Sequence, residues 1–221
     1  MPGSSTAAAP LPPARLIARL LVAAAVVLYL LHTAGSLVLE PLVPVFRAII
    51  GGIDPQFVIT DAFTGHEDAS EVLIFRANLR EAVTVAGQVI YPFGTHGVPE
   101  GGFQVSYTVG GVLLDDALMV IILLVWPAQR VWELLVRLLL GLPAMTVLLL
   151  IGVPSTVVAE LQHALQTQVD THALGGWLIW SRFLMGGGGM ALSSLLALLV
   201  IRGTRRFAPP APGGGAALRS T

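Results

Sequence analysis

Four long apolar runs constrain this chain more than any other feature of its sequence. Each is close to the roughly 20 residues that a helix needs to cross the hydrocarbon core of a bilayer. We predict transmembrane helices over residues 16–39, 110–128, 133–153 and 177–201. Only 11% of the 221 residues are charged and the mean hydropathy is +0.81, whereas soluble domains carry about 25% charged residues. The sequence therefore predicts an integral membrane protein and excludes an ordinary water-soluble or disordered one.

Charge, cysteine content and motifs exclude several classes of function. The net charge of -1 gives no electrostatic basis for binding nucleic acid. Because the chain contains no cysteine, it has no disulfide, thiolate metal site, iron–sulfur cluster or cysteine nucleophile. It also lacks the Walker, dinucleotide, nucleophile-elbow and zinc-protease motifs. We therefore favour a non-enzymatic role and predict no cofactor.

The arginines predict how the helices are oriented. All twelve basic residues are arginines, and eight of them fall on one side of the four-helix plan. Loops rich in arginine stay in the cytoplasm, so we expect both termini there and the long segment after the first helix outside. Arg15 and Arg19 also fit the start of a cleaved signal peptide, an alternative that leaves the remaining topology unchanged.

The segment 40–109 is longer than a connector needs and carries strand patterns. It opens with an amphipathic piece over 41–53, which we expect to lie along the membrane surface. Runs that alternate or are rich in β-branched residues follow at 57–63, 71–79, 82–91 and 103–109. The predicted fold class is therefore an α+β integral membrane protein. It has four transmembrane helices and a small antiparallel β-sheet domain of three to five strands, inserted between helices 1 and 2 on the extracytoplasmic side. We expect the last strand to run directly into helix 2.

The remaining segments are an outer helix and two tails. An amphipathic helix is predicted over 155–172, capped by Ser155 or Thr156. Its apolar face contains Val157, Val158, Leu161, Leu165 and Val169, and its polar face contains Glu160, His163 and Gln166. Residues 1–14 and 202–221 are rich in proline, alanine and glycine and are predicted to be disordered cytoplasmic tails.

Charged residues at membrane depth define one candidate site. Asp115 and Asp116 lie near the outer end of helix 2, and Arg182 lies near the outer end of helix 4, with His163 at the same level. An enzyme could use a carboxylate or His163 to move protons and Arg182 to hold an anion. We favour structural roles, because two acids complement a helix N-terminus and an arginine can reach the interface. No catalytic residue is therefore assigned.

Two histidines with nearby acids could bind a divalent metal. These are His66 and His96, with Glu67, Asp68 and Glu71 close to the first of them. Their spacing is irregular, and acidic loops are usually just solvated. No metal site is predicted.

A run of glycines in helix 4 predicts a face for helix packing. Gly187 with Ala191 and Gly189 with Ser193 form small-xxx-small pairs, which allow two helices to approach closely. The predicted helix-packing residues are Gly186, Gly187, Gly188, Gly189, Ala191 and Ser193. The alternative is a kink or a broken helix that lines a cavity.

The stretch YTVGGVLLDDALMVIILLVWPAQRVWELLVRLLLGLP, with Arg182, resembles the small membrane proteins that accompany exosortases in bacterial surface-protein processing. The resemblance covers residues 16–202 in outline. An exosortase itself needs a catalytic cysteine, which this chain lacks. The resemblance therefore implies an accessory role in surface-protein processing or export at a bacterial inner membrane.

The leading hypothesis is an accessory or assembly protein that docks a membrane partner. Docking would use the outer β-domain and the glycine-rich fourth helix, and the partner would be another membrane protein or a second copy of this chain. The alternatives are a membrane-embedded enzyme using Asp115, Asp116, His163 and Arg182, or a small transporter subunit.

Overall fold

The computed structural model describes residues 13–68, 70–98, 101–128, 131–168 and 176–207. The helices are α1 (Pro13–Leu39), α2 (Val43–Ile53), α3 (Val109–Val125), α4 (Val131–Thr167), α5 (Gly176–Phe183) and α6 (Gly189–Phe207). The strands are β1 (Phe57–Glu67), β2 (Ser70–Leu79), β3 (Val83–Val85), β4 (Gln88–Ile90) and β5 (Phe103–Thr108). A 3-10 turn, Glu40–Leu42, joins α1 to α2, and a π-helical turn, Leu184–Gly188, joins α5 to α6.

Three helical stretches of the described residues are long and apolar enough to cross a membrane. They are Ala14–Ile53, Val131–Thr167 and Gly176–Thr204. The helix predicted over 110–128 forms as α3, whose 17 residues extend about 25 Å at 1.5 Å per residue. Much of the apolar surface of α1 is not covered by other parts of the chain that the structure describes; for example, Leu21 and Leu37 are 65% and 67% exposed. The structure is therefore a mixture of apolar helices and a small antiparallel sheet, and its helices are compatible with a membrane protein.

The predicted tails mostly lie outside the described residues. The exceptions are at the two inner boundaries, where α1 begins at Pro13 and α6 continues to Phe207. The predicted boundary at residue 202 therefore falls six residues too early. Helix α6 continues because Ile201 and Thr204 are buried, and the Thr204 hydroxyl donates to the main-chain oxygen of Ile201 at 2.9 Å.

Helix α3 lies between three other helices and contacts each of them along its length. On the α1 side, Gly35 lies beside Val109, and Val27 packs with Ala117 and Ile121. On the α4 side, Gly141 lies beside Leu123, and Thr156 lies beside Tyr107 of the strand that precedes α3. On the α6 side, Gly189 lies beside Asp115, and Ile201 packs with Leu123. Successive contacts run in opposite directions along α1 and α3, and also along α4 and α3. Along α6 and α3 they run in the same direction. Helices α1 and α4 are therefore antiparallel to α3, and α6 is parallel to it.

A buried arginine from α4 satisfies the end of α3. The last carbonyl groups of a helix have no partner within it. Arg137 donates from Nη1 to the oxygen of Trp126 at 2.9 Å and from Nη2 to that of Pro127 at 3.1 Å. It also pairs with Glu133, and it is 0% exposed. Arg137 therefore fixes the turn between α3 and α4.

The main sheet has three antiparallel strands with β2 in the centre. Strand β1 pairs with β2 from Phe57 opposite Leu79 to Glu67 opposite Ser70, with a bulge near Asp61. Strand β5 pairs with the other edge of β2. As predicted, β5 passes directly into α3, and the Thr108 hydroxyl accepts a hydrogen bond from the Gly111 main-chain nitrogen at 3.3 Å. The sheet and α3 are therefore joined without a loop.

The run predicted as one strand over 82–91 is instead a hairpin of β3 and β4. Ala86 and Gly87 form the two-residue turn with φ values of 50° and 82°. Two successive positive φ values are the signature of a tight hairpin turn, and glycine favours it. The hairpin is connected to the main sheet through Asn78, whose Oδ1 accepts from the Phe93 nitrogen at 2.9 Å and whose Nδ2 donates to the Phe93 oxygen at 3.1 Å.

The helix predicted over 133–153 and the one predicted over 155–172 form a single helix, α4. Pro154 lies inside it, and Ser155 and Thr156 do not cap a new helix. Their hydroxyls instead donate back to the Gly152 oxygen at 2.9 and 3.1 Å, within the same helix. The predicted apolar face of the second half is buried at Val157, Val158, Leu161 and Leu165. Val169 lies outside the described residues.

The amphipathic piece over 41–53 forms the 3-10 turn and α2, which packs against the rest of the fold. Phe46 and Ile50 are buried in the main core, together with residues of the sheet and α4. At the end of α2, the Asp54 carboxylate accepts hydrogen bonds from the side chains of Gln56 and Gln162, each at 2.8 Å. These contacts hold α2 and α4 together.

Candidate functional site

A cavity of about 630 Å³ lies between α3, α4 and the kinked segment that joins α5 to α6. Ligand pockets usually measure about 300–1,000 Å³, so this one has room for a drug-sized molecule. Most of its wall is formed by leucine, valine, isoleucine and methionine side chains. The polar members of the wall are Tyr107, Thr108, Asp115, Asp116, Thr156 and Trp180. The cavity is therefore apolar, with a few polar groups on one side.

Asp116 is the most unusual group in the wall. It is 2% exposed, and neither carboxylate oxygen has a hydrogen-bond partner among the described residues. Asp115, next to it in the wall, lies over Gly189 at the start of α6. Any side chain at Gly189 would overlap the Asp115 carboxylate. Glycine at this position therefore makes room for the acidic group between α3 and α6.

Tyr107 lies at the end of the cavity nearest the sheet. Its hydroxyl is buried and has no well-formed hydrogen bond within the described part of the chain. Its neighbour Thr156 already donates to main-chain oxygens of α4, including that of Val153 at 2.9 Å. Burial raises the pKa of Tyr107 well above its ordinary value, Thr156 offsets a part of this shift, and the charge of Glu160 adds to it. Tyr107 is therefore a neutral hydroxyl that points into an apolar wall.

Trp180 connects α5 to α4 at the same end. Its Nε1 donates to the Ser155 hydroxyl at 3.1 Å, and its ring stacks on Phe183 with 5.5 Å between ring centroids. Buried tryptophan usually finds a partner for its N–H group, and here the partner is on the neighbouring helix. This contact fixes α5 beside the cavity.

The glycine run breaks the helix that was predicted over 177–201. Gly187 has φ 103° and ψ -2°, a conformation that favours glycine, and it lines the cavity. The alternative of a kink beside a cavity therefore describes Gly187. Within the described residues nothing lies within 4 Å of a Cβ added at Gly186 or Gly187, and the atoms nearest to one at Gly188 belong to Phe183 of the preceding helix.

Inward helix packing is confined to part of the predicted glycine face. Gly189 contacts Asp115 of α3, and Ser193, one turn later, is 0% exposed. Ala191 is exposed, as is Gly187. A role of the exposed positions in contacting a partner helix stays a prediction.

The structure does not bring together the four residues of the alternative enzyme site, Asp115, Asp116, His163 and Arg182. Asp115 and Asp116 line the cavity, but His163 and Arg182 do not. No ion pair joins Arg182 to either aspartate in the part of the chain that the structure describes, and Arg182 is exposed. His163 lies two turns beyond Thr156 because α4 continues past the cavity without a break.

Metal binding has no assembled site among the described residues, since no three histidine, aspartate or glutamate side chains form a group that could hold an ion. The Nε2 atom of His66 lies 3.8 Å from Oε1 of Glu71, but the His66 side chain is largely exposed. Asp170 and His172, which are near the predicted outer helix, lie outside the described residues.

Sequence reasoning missed Tyr107, Thr156 and Trp180 as members of one wall. Tyr107 was recognised only as an alternating strand residue, and Thr156 only as a possible cap. A usable signal was present for the two aromatic residues, because buried tyrosine and tryptophan need partners for their polar atoms. Which helix supplies the partner depends on the tertiary packing.

Comparisons with protein-family models, with curated proteins and with solved structures found no match to this chain. A function must therefore be argued from the cavity itself. The relevant properties are its apolar wall, its unpartnered polar atoms and the direction in which it opens.

Proposed function

We propose that this chain is a membrane protein that crosses the bilayer four times and binds an apolar, lipid-like molecule in the cavity. The observation that carries the proposal is where the cavity opens. Its wall includes apolar side chains that are exposed on α4, namely Val147 and Ile151, and on the kinked segment and α6, namely Met185 and Met190. These residues flank an opening between two helices. In a bilayer that opening faces lipid chains.

The fourth crossing is α3. It lies among three helices that are apolar enough to cross a membrane, antiparallel to two of them and parallel to the third. This is the arrangement that four successive crossings produce. Its 17 residues are at the lower limit of the range of about 17–25 residues for a transmembrane helix.

The same arrangement supports the orientation predicted from the arginines. With four crossings both termini lie on one side, and that side carries most of the arginines. We therefore place the termini in the cytoplasm of a bacterial inner membrane. The sheet then lies outside, with Tyr107 near the outer surface and Asp116 about two turns deeper in α3.

Photolabelling of the protein in nanodiscs tests the proposal. The nanodiscs contain phosphatidylcholine, and the probe is dodecanol that carries a diazirine. We expect saturable labelling of the cavity-lining parts of α4 and α6, which unlabelled dodecanol prevents. Uniform labelling of all bare apolar surfaces, α1 included, without saturation would refute the proposal.

A pair of glycine variants makes the test specific to the cavity. Gly152 lines the cavity, and a Cβ there meets nothing within 4 Å. Gly152→Leu therefore fills space that the probe needs, and we expect about tenfold less saturable labelling. Gly203 also has open space beside it but lies outside the wall. Gly203→Leu should label like the unmodified protein, and equal labelling of both variants would contradict the assignment.

Docking of a membrane partner is a second candidate, favoured by a different surface. Gly187 and Ala191, one turn apart, are exposed and form a small-residue pair of the kind that seats a helix. Strands β1 and β5 are the edges of the three-stranded sheet, and an edge can accept a further strand. An accessory role in surface-protein processing or export would use these surfaces.

Gentle extraction at native expression, followed by measurement of the mass of the complex, tests the docking role. Ala191→Leu should reduce the complex to the mass of a single chain. Ala25→Leu places the same side chain on an exposed position of α1 and should leave the complex intact. A single chain in the unmodified protein would refute docking.

A further inference from the structure

The cavity wall has an uncompensated acidic character. Among the described residues that line it, Asp115 and Asp116 are the two acidic ones. The carboxyl group of Asp116 is nearly inaccessible, at 2% exposure, and has no hydrogen-bond partner in the described part of the chain. Buried polar groups are nearly always paired, and a buried charge that lacks a partner is costly. This group therefore needs a partner from elsewhere.

The nearest candidates within the described chain do not provide one. Arg137 is engaged elsewhere, with Glu133 and the oxygens of Trp126 and Pro127. Arg182 is exposed and forms no ion pair with the aspartates. No arginine or histidine lies in the described part of the wall. A molecule that occupies the cavity can supply the partner of Asp116.

The chemistry of that partner follows from the carboxylates. An ionised carboxylate only accepts hydrogen bonds, and an ammonium group offers three donors and no acceptor. A neutral hydroxyl offers one donor and leaves its own lone pairs in an apolar wall. Two adjacent acidic side chains with no basic residue beside them also favour a positive charge in the ligand.

We propose that the cavity binds a cationic amphiphile, an apolar chain whose protonated amine pairs with Asp116 and Asp115. The apolar residues of α4 and α6 hold the chain, and the opening between those helices admits it from the bilayer. The absence of a side chain at Gly189 keeps the Asp115 carboxylate in the wall. This inference rests on the proposed binding of an apolar molecule in the same cavity.

Competition between matched chains tests the inference. Dodecylamine, dodecanol and dodecanoate compete with the diazirine-bearing dodecanol probe for the protein in phosphatidylcholine nanodiscs. Alkyl amines, like lysine, remain protonated at neutral pH. The partitioning of each compound into protein-free nanodiscs is measured, and concentrations are corrected for it. We expect dodecylamine to compete at a concentration about tenfold lower than dodecanol, and dodecanoate to compete more weakly than dodecanol.

Conservative variants identify the group responsible. Asp116→Asn should remove the preference for dodecylamine over dodecanol. Asp115→Asn, which alters the less buried carboxylate, should reduce the preference and serves if the first variant does not fold. Glu81→Gln changes an exposed acid outside the wall and should have no effect.

The outcomes separate this inference from the proposed function. Equal competition by dodecylamine and dodecanol in the unmodified protein overturns the amine inference and leaves apolar binding standing. A preference for dodecylamine that survives both aspartate variants overturns it as well. If no saturable labelling by the dodecanol probe occurs at all, the proposed function fails and the amine inference fails with it.

Discussion

Replacement of Arg137 by methionine removes a buried guanidinium and keeps most of the apolar bulk of the side chain. Two hydrogen bonds, to the oxygens of Trp126 and Pro127 at 2.9 and 3.1 Å, and the ion pair with Glu133 are lost. A hydrogen bond to a charged group contributes about 1.5–3 kcal/mol, and breaking a buried ion pair costs about 3–5 kcal/mol. Since the losses share one side chain and do not add, we expect the free energy of unfolding to fall by about 4 kcal/mol.

Unfolding in mixed micelles by titration with sodium dodecyl sulfate, followed by circular dichroism, measures this loss. Arg202→Met is the matched control, because Arg202 is exposed on α6 and surface substitutions change stability by about 0.5 kcal/mol or less. A loss below about 1 kcal/mol for Arg137→Met, or equal losses for both variants, would show that Arg137 does not hold the end of α3.

Three further outcomes follow from the structure. Gly189→Ala should remove most of the roughly tenfold preference for dodecylamine over dodecanol by displacing the Asp115 carboxylate, whereas Gly186→Ala, with open space at its Cβ, should leave the preference intact. The raised pKa of Tyr107 means that above pH 10.0 the unfolded chain ionises first, so stability falls as the pH rises further. In a denaturant titration at several pH values, Tyr107→Phe should lessen that fall; an unchanged pH dependence would contradict burial. Asn78→Ala should cost about 2 kcal/mol and speed limited proteolysis of the loop after β4, which the Asn78 side chain holds.

The elements of this fold were predictable where the pattern is local. Apolar runs of helical length predicted the helices, and alternation predicted β5 and its direct passage into α3. The continuity of α4 was not predictable, because Pro154 normally marks the end of a helix, and the Ser155 and Thr156 hydroxyls, which could have capped a new helix, bond back to Gly152 instead. The hairpin of β3 and β4 was missed because its turn, Ala86–Gly87, has two residues, so the apolar side chains before and after the turn continue the same every-second-residue pattern.

The candidate site was predictable only in part. Asp115 and Asp116 stand out in an apolar run and were recognised from the sequence alone. Their predicted partner Arg182 precedes Gly189, the residue beside Asp115, by seven residues, and its side chain is exposed. The role of Gly187 depends on a positive φ, which a sequence of four glycines permits but does not locate.

The junction at Thr108 leaves no slack between the sheet and α3. This residue ends β5, and its side chain caps α3. Because no loop separates the two elements, a tilt or rotation of α3 is transmitted directly to β5. Strand β5 is in turn hydrogen-bonded to β2 over its whole length. A molecule that displaces α3 at Asp116 would therefore move the sheet as well. We therefore expect α3 and β5 to move together as one unit joined at Thr108.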